Sequence, residues 1–250
     1  MLFEAMKSGE VKLYGRWQVS RAAAKQPPSS LRLRADNTIT TKDEINALIT
    51  KSANDVAVVV AERLGGTEER FATLMTAKAK AMGMENTVFK NASGLPNTQQ
   101  LSTARDMSIL AMRLLDDHAD YYGYFANTKF SWGRATYKNH NKLIGRVVGV
   151  DGIKTGYTRA SGFNLMASAK RRGRRVVAIM FGGSTARSRD QHVTDLIEAA
   201  YKSFEPSDVA PGLRTRITFS DIQPPIDPDG AAMRSEERRV GKEGRSRWAP

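Results

Sequence analysis

Two short stretches of the chain carry the residue types that acyl transfer requires. Ser52-Ala53-Asn54 places a hydroxyl and a carboxamide directly before a valine-rich run. Asp151-Gly152-Ile153-Lys154-Thr155-Gly156-Tyr157-Thr158 places an ammonium and a hydroxyl between glycines. Each is weak alone, because Ser, Asn and Asp are preferred helix N-caps and a bare Lys-Thr-Gly is short. Glycines beside a strand let a ligand approach the backbone, and an open strand edge there can pair with a peptide. Serine acyl transfer needs a nucleophile, a base, a proton relay and oxyanion donors. The two stretches hold a hydroxyl, a carboxamide and an ammonium, residue types on which such a set draws.

A nucleophile with its base is the half that is not found. No serine in the chain has lysine three residues later. Thr87-Val88-Phe89-Lys90 is the nearest imitation. His118, His140 and His192 have no paired nucleophile and read as surface or structural residues. The chain has no cysteine, which excludes thiol catalysis, disulfides and Cys-ligated metals.

Apolar spacing locates the elements that must position these residues. Leu2, Phe3 and Met6 sit at helical spacing, with Gly9 as a C-terminal cap. Residues 11–20 read as extended, and Pro27-Pro28 as a breaker. Thr41-Lys42-Asp43-Glu44 has the capping-box pattern and opens a helix through Thr50. Residues 55–64 read as a buried helix closed by Gly65-Gly66. Phe71, Leu74, Met75 and Met82 mark an amphipathic helix ending at Gly83, and another runs from about Thr103. Phe130 and Trp132 suggest a hairpin with Thr136-Tyr137. Strands are expected at 147–155, 163–169 and 176–181, the last two joined by an Arg-Gly turn. A final helix carries Val193, Leu196, Ile197, Ala200 and Tyr201. The helices and strands do not alternate regularly, which predicts an α+β arrangement within the α/β class.

Composition bounds the function. The chain has 250 residues, 40% of them hydrophobic and 26% charged, which suits a globular domain. No apolar run is long enough to span a membrane. The net charge of +13 invites a nucleic-acid reading, but no nucleic-acid-binding motif accompanies it. A basic surface facing an anionic cell envelope explains the charge instead.

The order of these motifs resembles the serine D-alanyl-D-alanine carboxypeptidases, the low-molecular-mass penicillin-binding proteins. The stretch KSANDVAVVVAERLGG looks like their second motif. NASGLP followed by STARDM resembles their connector, and NHNKL, GVDGIKTGYT and SGFNLMASA resemble the approach to the third motif, that motif and the next strand. The resemblance covers residues 1 to about 204. A β-lactamase is disfavoured because no Glu-x-x-Leu-Asn motif occurs. The resemblance implies the serine β-lactamase/penicillin-binding protein transpeptidase-like fold: an antiparallel sheet flanked by helices, with a helical subdomain. It implies removal of the terminal D-Ala from peptidoglycan stem pentapeptides through a serine acyl-enzyme, with no metal and no cofactor. It implies β-lactams as inhibitors of the complete enzyme, no nucleic-acid partner, and a place in the cell envelope.

Roles follow from the resemblance residue by residue. Ser52 relays the proton to the leaving amine, and Asn54 holds a substrate carbonyl and orients the catalytic lysine. Lys154 supplies positive charge and assists Ser52. Thr155 and Arg189 hold the terminal carboxylate, with Arg187 as the register alternative. Gly156 and Tyr157 line the substrate, and the Tyr157 backbone N–H is an oxyanion donor where the family commonly has His. The family's first motif, Ser-x-x-Lys, opens the helix whose end looks like residues 2–9. The expectation is therefore an N-terminally truncated, inactive carboxypeptidase domain at 1–204, without the N-terminal strands of the sheet. The alternative is a natural non-catalytic binder of cell-wall peptides.

Residues 205–233 read as a linker or remnant of a C-terminal region, rich in Pro and Asp, with one strand at 215–219. Residues 234–250 are basic, nearly devoid of apolar side chains, and expected to be disordered. They resemble adaptor sequence translated at the end of a truncated gene. Deleting everything after Met233 is expected to leave the thermal midpoint unchanged. A drop of several degrees by calorimetry would show that the tail packs.

Overall fold

The computed structural model describes residues 1–204. The expectations for 205–233 and 234–250, including the strand at 215–219, lie outside the described residues. The chain opens with helix α1 (Leu2–Lys7), whose end is followed by Gly9 at φ 81°, the left-handed conformation that closes helices. The extended reading of 11–20 holds only for β1 (Arg16–Gln18). A short helix α2 (Arg21–Ala24) follows, capped by the Ser20 hydroxyl. Strand β2 (Thr38–Thr40) pairs antiparallel with β1. Helix α3 (Thr41–Asn46) is capped by Thr40, not Thr41, with the Asp43 amide donating to its hydroxyl.

The expected helix through Thr50 does not stay α-helical. It becomes a π-helical turn over Ala47–Lys51 and stops at Ser52. Helix α4 (Asn54–Gly65) then begins, and every side chain from Asn54 to Ala61 is buried. A helix apolar on all sides must lie inside, and α4 packs against α2 and helix α5 (Glu68–Ala81). Helix α6 (Ala104–Asp117) starts at a Thr103 cap as its pattern predicts. A short helix α7 (Ala119–Tyr122) and a 3-10 turn lead to the hairpin β3 (Lys129–Trp132) and β4 (Ala135–Lys138).

The final third forms one sheet of β5 (Val150–Thr158), β6 (Gly162–Arg171) and β7 (Arg174–Gly183), antiparallel throughout and ordered β5-β6-β7. The strand expected at 147–155 is shifted: residues 147–149 form a turn, and pairing runs on through Thr158. The turn at Arg172-Gly173 joins β6 to β7 with both residues at positive φ. Helix α8 (Ala186–Lys202) covers the sheet through Val193, Leu196 and Ile197. A second core around Val56, Val59, Ile39 and Phe130 holds the helical part, and Ile153, Tyr122 and Ala111 form a third. Among the described residues no helix is long and apolar enough to cross a membrane.

One buried charge pair anchors the helical part. The Glu44 side chain is fully buried beside the Arg63 guanidinium at 3.1 Å, and that guanidinium lies over the Trp17 ring at 4.1 Å. Burial pushes the Glu44 carboxyl up to about 7, against the opposing pull of Arg63. The folded chain therefore holds this proton more tightly than the unfolded one. Its stabilising effect is full below the ordinary value of 4.5 and is lost as pH rises through about 7. Glu44→Gln is expected to flatten the fall of the thermal midpoint across that window, and parallel profiles for parent and variant would refute the assignment. Arg63→Met, which leaves Glu44 buried without a partner, is expected to cost about 3–5 kcal/mol by urea unfolding at pH 8.

Candidate active site

The loop before α4 is stitched to a distant segment by a set of buried hydrogen bonds. The Asp55 carboxylate, buried at the start of α4, accepts from the backbone N–H of Leu31 at 3.0 Å and of Leu33 at 3.0 Å. It also accepts from the Val56 N–H at 3.0 Å, within its own helix turn. The Ser29 hydroxyl donates to the Lys51 carbonyl at 2.8 Å, and the Asn54 N–H donates to the Ser29 carbonyl at 2.7 Å. The Asn54 carboxamide donates to the Pro27 carbonyl at 3.0 Å. Segment 27–33 thus cannot move without moving 51–56.

Ser52 sits at the centre of this stitching in the left-handed conformation, φ 56° and ψ 48°. Such a backbone is uncommon for a residue with a side chain and persists only where the surroundings impose it. The residue closes the π-helical turn at Lys51 rather than capping α4, whose N-cap is Ala53. The helix-cap alternative that Ser, Asn and Asp offer before the valine-rich run does not describe Ser52. The reason is geometric: a π turn consumes the residue that a regular helix would leave in an extended, capping conformation. The Ser52 hydroxyl has no hydrogen-bond partner among the described residues.

Sheet packing brings the second stretch to the first. Ser52, Asn54 and Lys154 line one cavity of about 340 Å³, together with Phe3, Ile49, Met82 and Leu114. Glu4 of α1 and Lys78 of α5 also line it and form an ion pair. The Lys154 ammonium donates to the Thr155 carbonyl at 2.8 Å. Its pKa is lowered to about 8, first by burial and then by the Arg189 guanidinium. Gly156 and Tyr157 are exposed on β5, which forms the edge of its sheet among the described residues. The Tyr157 ring rests against Phe163 with centroids 4.5 Å apart.

Arg189 is buried, whereas Arg187 is exposed. A bulge in the β6–β7 pairing between Phe163 and Leu165 leaves room for this arrangement. There the Asn164 side chain replaces the broken ladder, accepting from the Gly182 N–H at 3.0 Å, while the Asn164 carbonyl accepts from Arg189 Nη1 at 3.3 Å. Gly183 is required at this point, because a Cβ on it would meet the Arg189 Cβ at 2.9 Å. Asp190 also engages Arg189, accepting at 2.7 Å, so part of the guanidinium is committed within the protein.

Sequence reasoning passed over several residues that hold the site. Asp55 entered the sequence reading only as the first residue of the buried helix 55–64. Asn141, whose carboxamide donates to the Gly152 carbonyl at 3.0 Å, tethers the entry to β5. Behind β5, Asp151 accepts from Tyr122 at 3.1 Å and pairs with Arg175 at 2.8 Å. His118, read as structural, packs its ring against Phe3 at 5.8 Å. His140 was read as a lone histidine; its imidazole is held below its ordinary pKa first by partial desolvation and then by the positive charge of Lys154, Lys51 and Arg189.

The same arrangement of helices around an antiparallel sheet is found in solved penicillin-binding proteins. Penicillin binding protein 5 from Haemophilus influenzae matches with TM-score 0.77 and 27% identity, over 80% of this chain and 60% of that one. Penicillin-Binding Protein D2 from Listeria monocytogenes, in a cefotaxime-bound form, matches with TM-score 0.71 and 29% identity, over 80% and 83% respectively. The profile of the D-alanyl-D-alanine carboxypeptidases matches residues 1–185, and the chain belongs to that family. D-alanyl-D-alanine carboxypeptidase DacF of Bacillus subtilis is 35% identical over 214 residues, covering 82% of this chain and 54% of the relative. The chain spans about half the length of the first curated relatives it matches.

The stitching makes Asp55 the residue whose loss the site should feel most. Asp55→Ala strands two long-range backbone donors in a buried setting, and each such loss costs about 1–3 kcal/mol. A destabilisation of at least about 2 kcal/mol is expected by urea unfolding. A change under about 0.5 kcal/mol would mean that segment 27–33 is held by other contacts.

Proposed function

We propose that this chain supplies the peptide-holding and proton-relay half of a serine D-alanyl-D-alanine carboxypeptidase site. The observation that carries the reading is the single cavity shared by Ser52, Asn54 and Lys154 beside the open edge of β5. In it a stem peptide ending in D-Ala-D-Ala pairs with β5 along Thr155, Gly156 and Tyr157. Its terminal carboxylate is held by Thr155, Arg189 and the charge of Lys154, and Asn54 faces a substrate carbonyl. The unpartnered Ser52 hydroxyl, with Lys154, passes a proton to the leaving D-alanine amine. The Tyr157 backbone N–H supports the oxyanion. Such an enzyme works on peptidoglycan in the cell envelope, and β-lactams imitate its substrate.

Within these 250 residues no Ser-x-x-Lys supplies a nucleophile with its base. The chain by itself is therefore not acylated, since losing the nucleophile of an acyl-transfer site costs several powers of ten in rate. The same absence favours a second reading, a non-catalytic binder of cell-wall peptides. Both readings predict peptide binding, and they part when a segment bearing Ser-x-x-Lys is supplied. An enzyme half then gains acylation, and a dedicated binder does not.

Two measurements test the proposal. Intact-mass spectrometry after benzylpenicillin treatment is expected to show an unchanged mass, and a stoichiometric adduct would show that the nucleophile has been misplaced. Calorimetric binding of N-acetyl-D-Ala-D-Ala is expected to weaken as pH rises through about 8, where Lys154 loses its proton. Lys154→Ala should weaken binding by roughly tenfold or more, the size of a charge-assisted hydrogen bond. Lys154→Arg should rescue it in part, because it keeps the charge but not the compact ammonium. Binding that is indifferent to both pH and Lys154→Ala would remove Lys154 from the site.

A further inference from the structure

The end of the sheet opposite the candidate site concentrates positive charge. In the β6–β7 hairpin Lys170 faces Arg175 and Arg171 faces Arg174 across the strands. Arg172 stands at the turn between them, where it and Gly173 both have positive φ. Like charges directly opposite each other cost a hairpin stability. Two of these cations are neutralised. Arg171 donates to both Glu198 carboxylate oxygens, at 2.6 and 2.8 Å, and Arg175 pairs with Asp151 at 2.8 Å. Arg174 donates only to the Phe204 carbonyl, at 3.1 Å, and lies over that ring. Lys170 and Arg172 are exposed, and neither they nor Arg174 have an ion-pair partner among the described residues.

An apolar side chain stands in the same place. The turn at 143–149 is fastened to the hairpin: Arg171 Nε donates to the Val148 carbonyl at 2.8 Å, and the Lys170 N–H donates to the Gly149 carbonyl at 2.9 Å. Gly149, at φ 78°, lies so close that a Cβ on it would collide with the Lys170 carbonyl. Inside the turn the Val147 N–H donates to the Leu143 carbonyl at 2.9 Å. Val147 packs against the sheet core, whereas Val148 is 74% exposed. Arg146, also exposed, brings one more cation without an ion-pair partner among the described residues. A single exposed valine is ordinary on a protein surface. This one is held by its backbone among unpaired cations, on a turn that cannot fold it away without breaking the contacts to the hairpin.

A soluble polyanion would meet the cations and leave the valine in water. A bilayer with anionic headgroups meets both, with phosphates for the cations and the acyl boundary for the apolar side chain. We propose that the β6–β7 hairpin and the 143–149 turn form a docking surface for an anionic phospholipid bilayer, with Val148 entering the headgroup layer and Arg146, Lys170, Arg172 and Arg174 meeting lipid phosphates. Phe163, which pairs with Tyr157 and adjoins the Asn164 carbonyl that Arg189 holds, is about 23 Å along β6 from Lys170. Docking at the hairpin therefore turns the Tyr157 and Arg189 end of the sheet away from the bilayer. The docking surface stands whether or not the β5 edge holds a peptide.

The test is co-sedimentation of the whole 250-residue chain with vesicles of phosphatidylcholine alone and of equal parts phosphatidylcholine and phosphatidylglycerol. Binding to the mixed vesicles only is expected, and it should weaken steeply with added salt. Each basic residue near an anionic membrane is worth about a fivefold change in affinity, so Arg146→Gln, Lys170→Gln and Arg172→Gln combined should weaken binding about a hundredfold. An equal loss of charge on the exposed β3–β4 hairpin, Lys129→Gln, Arg134→Gln and Lys138→Gln combined, should weaken it less than about tenfold, because those charges lie beyond the screening length. Val148→Ser should weaken vesicle binding about fivefold and leave binding to soluble polyphosphate unchanged. Failure to bind the mixed vesicles refutes the surface. Equal losses in the two triple variants also refute it, since net charge, the basic residues of 234–250 included, would then explain the binding. If Val148→Ser leaves vesicle binding unchanged while the first triple variant weakens vesicle and polyphosphate binding alike, this face takes a soluble polyanion and the bilayer proposal fails.

Discussion

The candidate site depends on one carboxylate. Asp55 gathers the N–H groups of Leu31 and Leu33 onto the first turn of α4, inside a core where an unpaired donor would be costly. With segment 27–33 fixed, Ser29 and Pro27 reach the backbone of Lys51 and both ends of Asn54. The chain between the π turn and α4 then has too little freedom to adopt an extended cap, and Ser52 takes the left-handed conformation. The result is a hydroxyl held in place by backbone geometry while its own hydrogen-bonding capacity stays free. A reactive or relaying group is well served by that combination, because the ordering is complete before a ligand arrives.

The sheet contributes the other half by interrupting its own regularity. A perfect β6–β7 ladder would consume the Asn164 carbonyl. The bulge at Phe163–Leu165 releases it to Arg189, and the Asn164 side chain repairs the lost pairing at Gly182. At the entry to β5 a second irregularity lies between Val150 and Gly152, where Asn141 takes the Gly152 carbonyl. Both irregularities lie next to residues of the candidate site, as β-bulges commonly do. They let a buried arginine and an edge strand coexist without stranded backbone groups.

Charge is placed differently in the two halves of the molecule. In the helical part Glu44 and Arg63 face each other in a dry setting, and burial drives each toward its neutral form. Around Lys154 only Arg189 has a carboxylate partner, Asp190, and burial followed by Arg189 lowers the lysine to about 8. The first arrangement organises α3 against α4. The second leaves the Lys154 ammonium on β5 without a carboxylate partner among the described residues.

The sequence alone determined the motifs and most of the elements. Periodicity found α5, α6, α8 and the three strands of the sheet, because each buries one continuous face whose spacing survives in the chain. The order of Ser52-Ala53-Asn54 and Lys154-Thr155-Gly156 pointed to the family that the comparisons show. What the sequence did not reveal arises from contacts distant along the chain. The π turn at Ala47–Lys51 has no local signature, since it follows from stitching to residues 27–33 rather than from its own side chains. The burial of Arg189 over Arg187 depended on a bulge two strands away. His140 read as isolated because the charges of Lys51 and Lys154, which help hold its imidazole below its ordinary pKa, come from elements nearly ninety residues and about fourteen residues away along the chain. Only tertiary structure sums charges across such separations, because electrostatic interaction depends on distance through space and not along the chain.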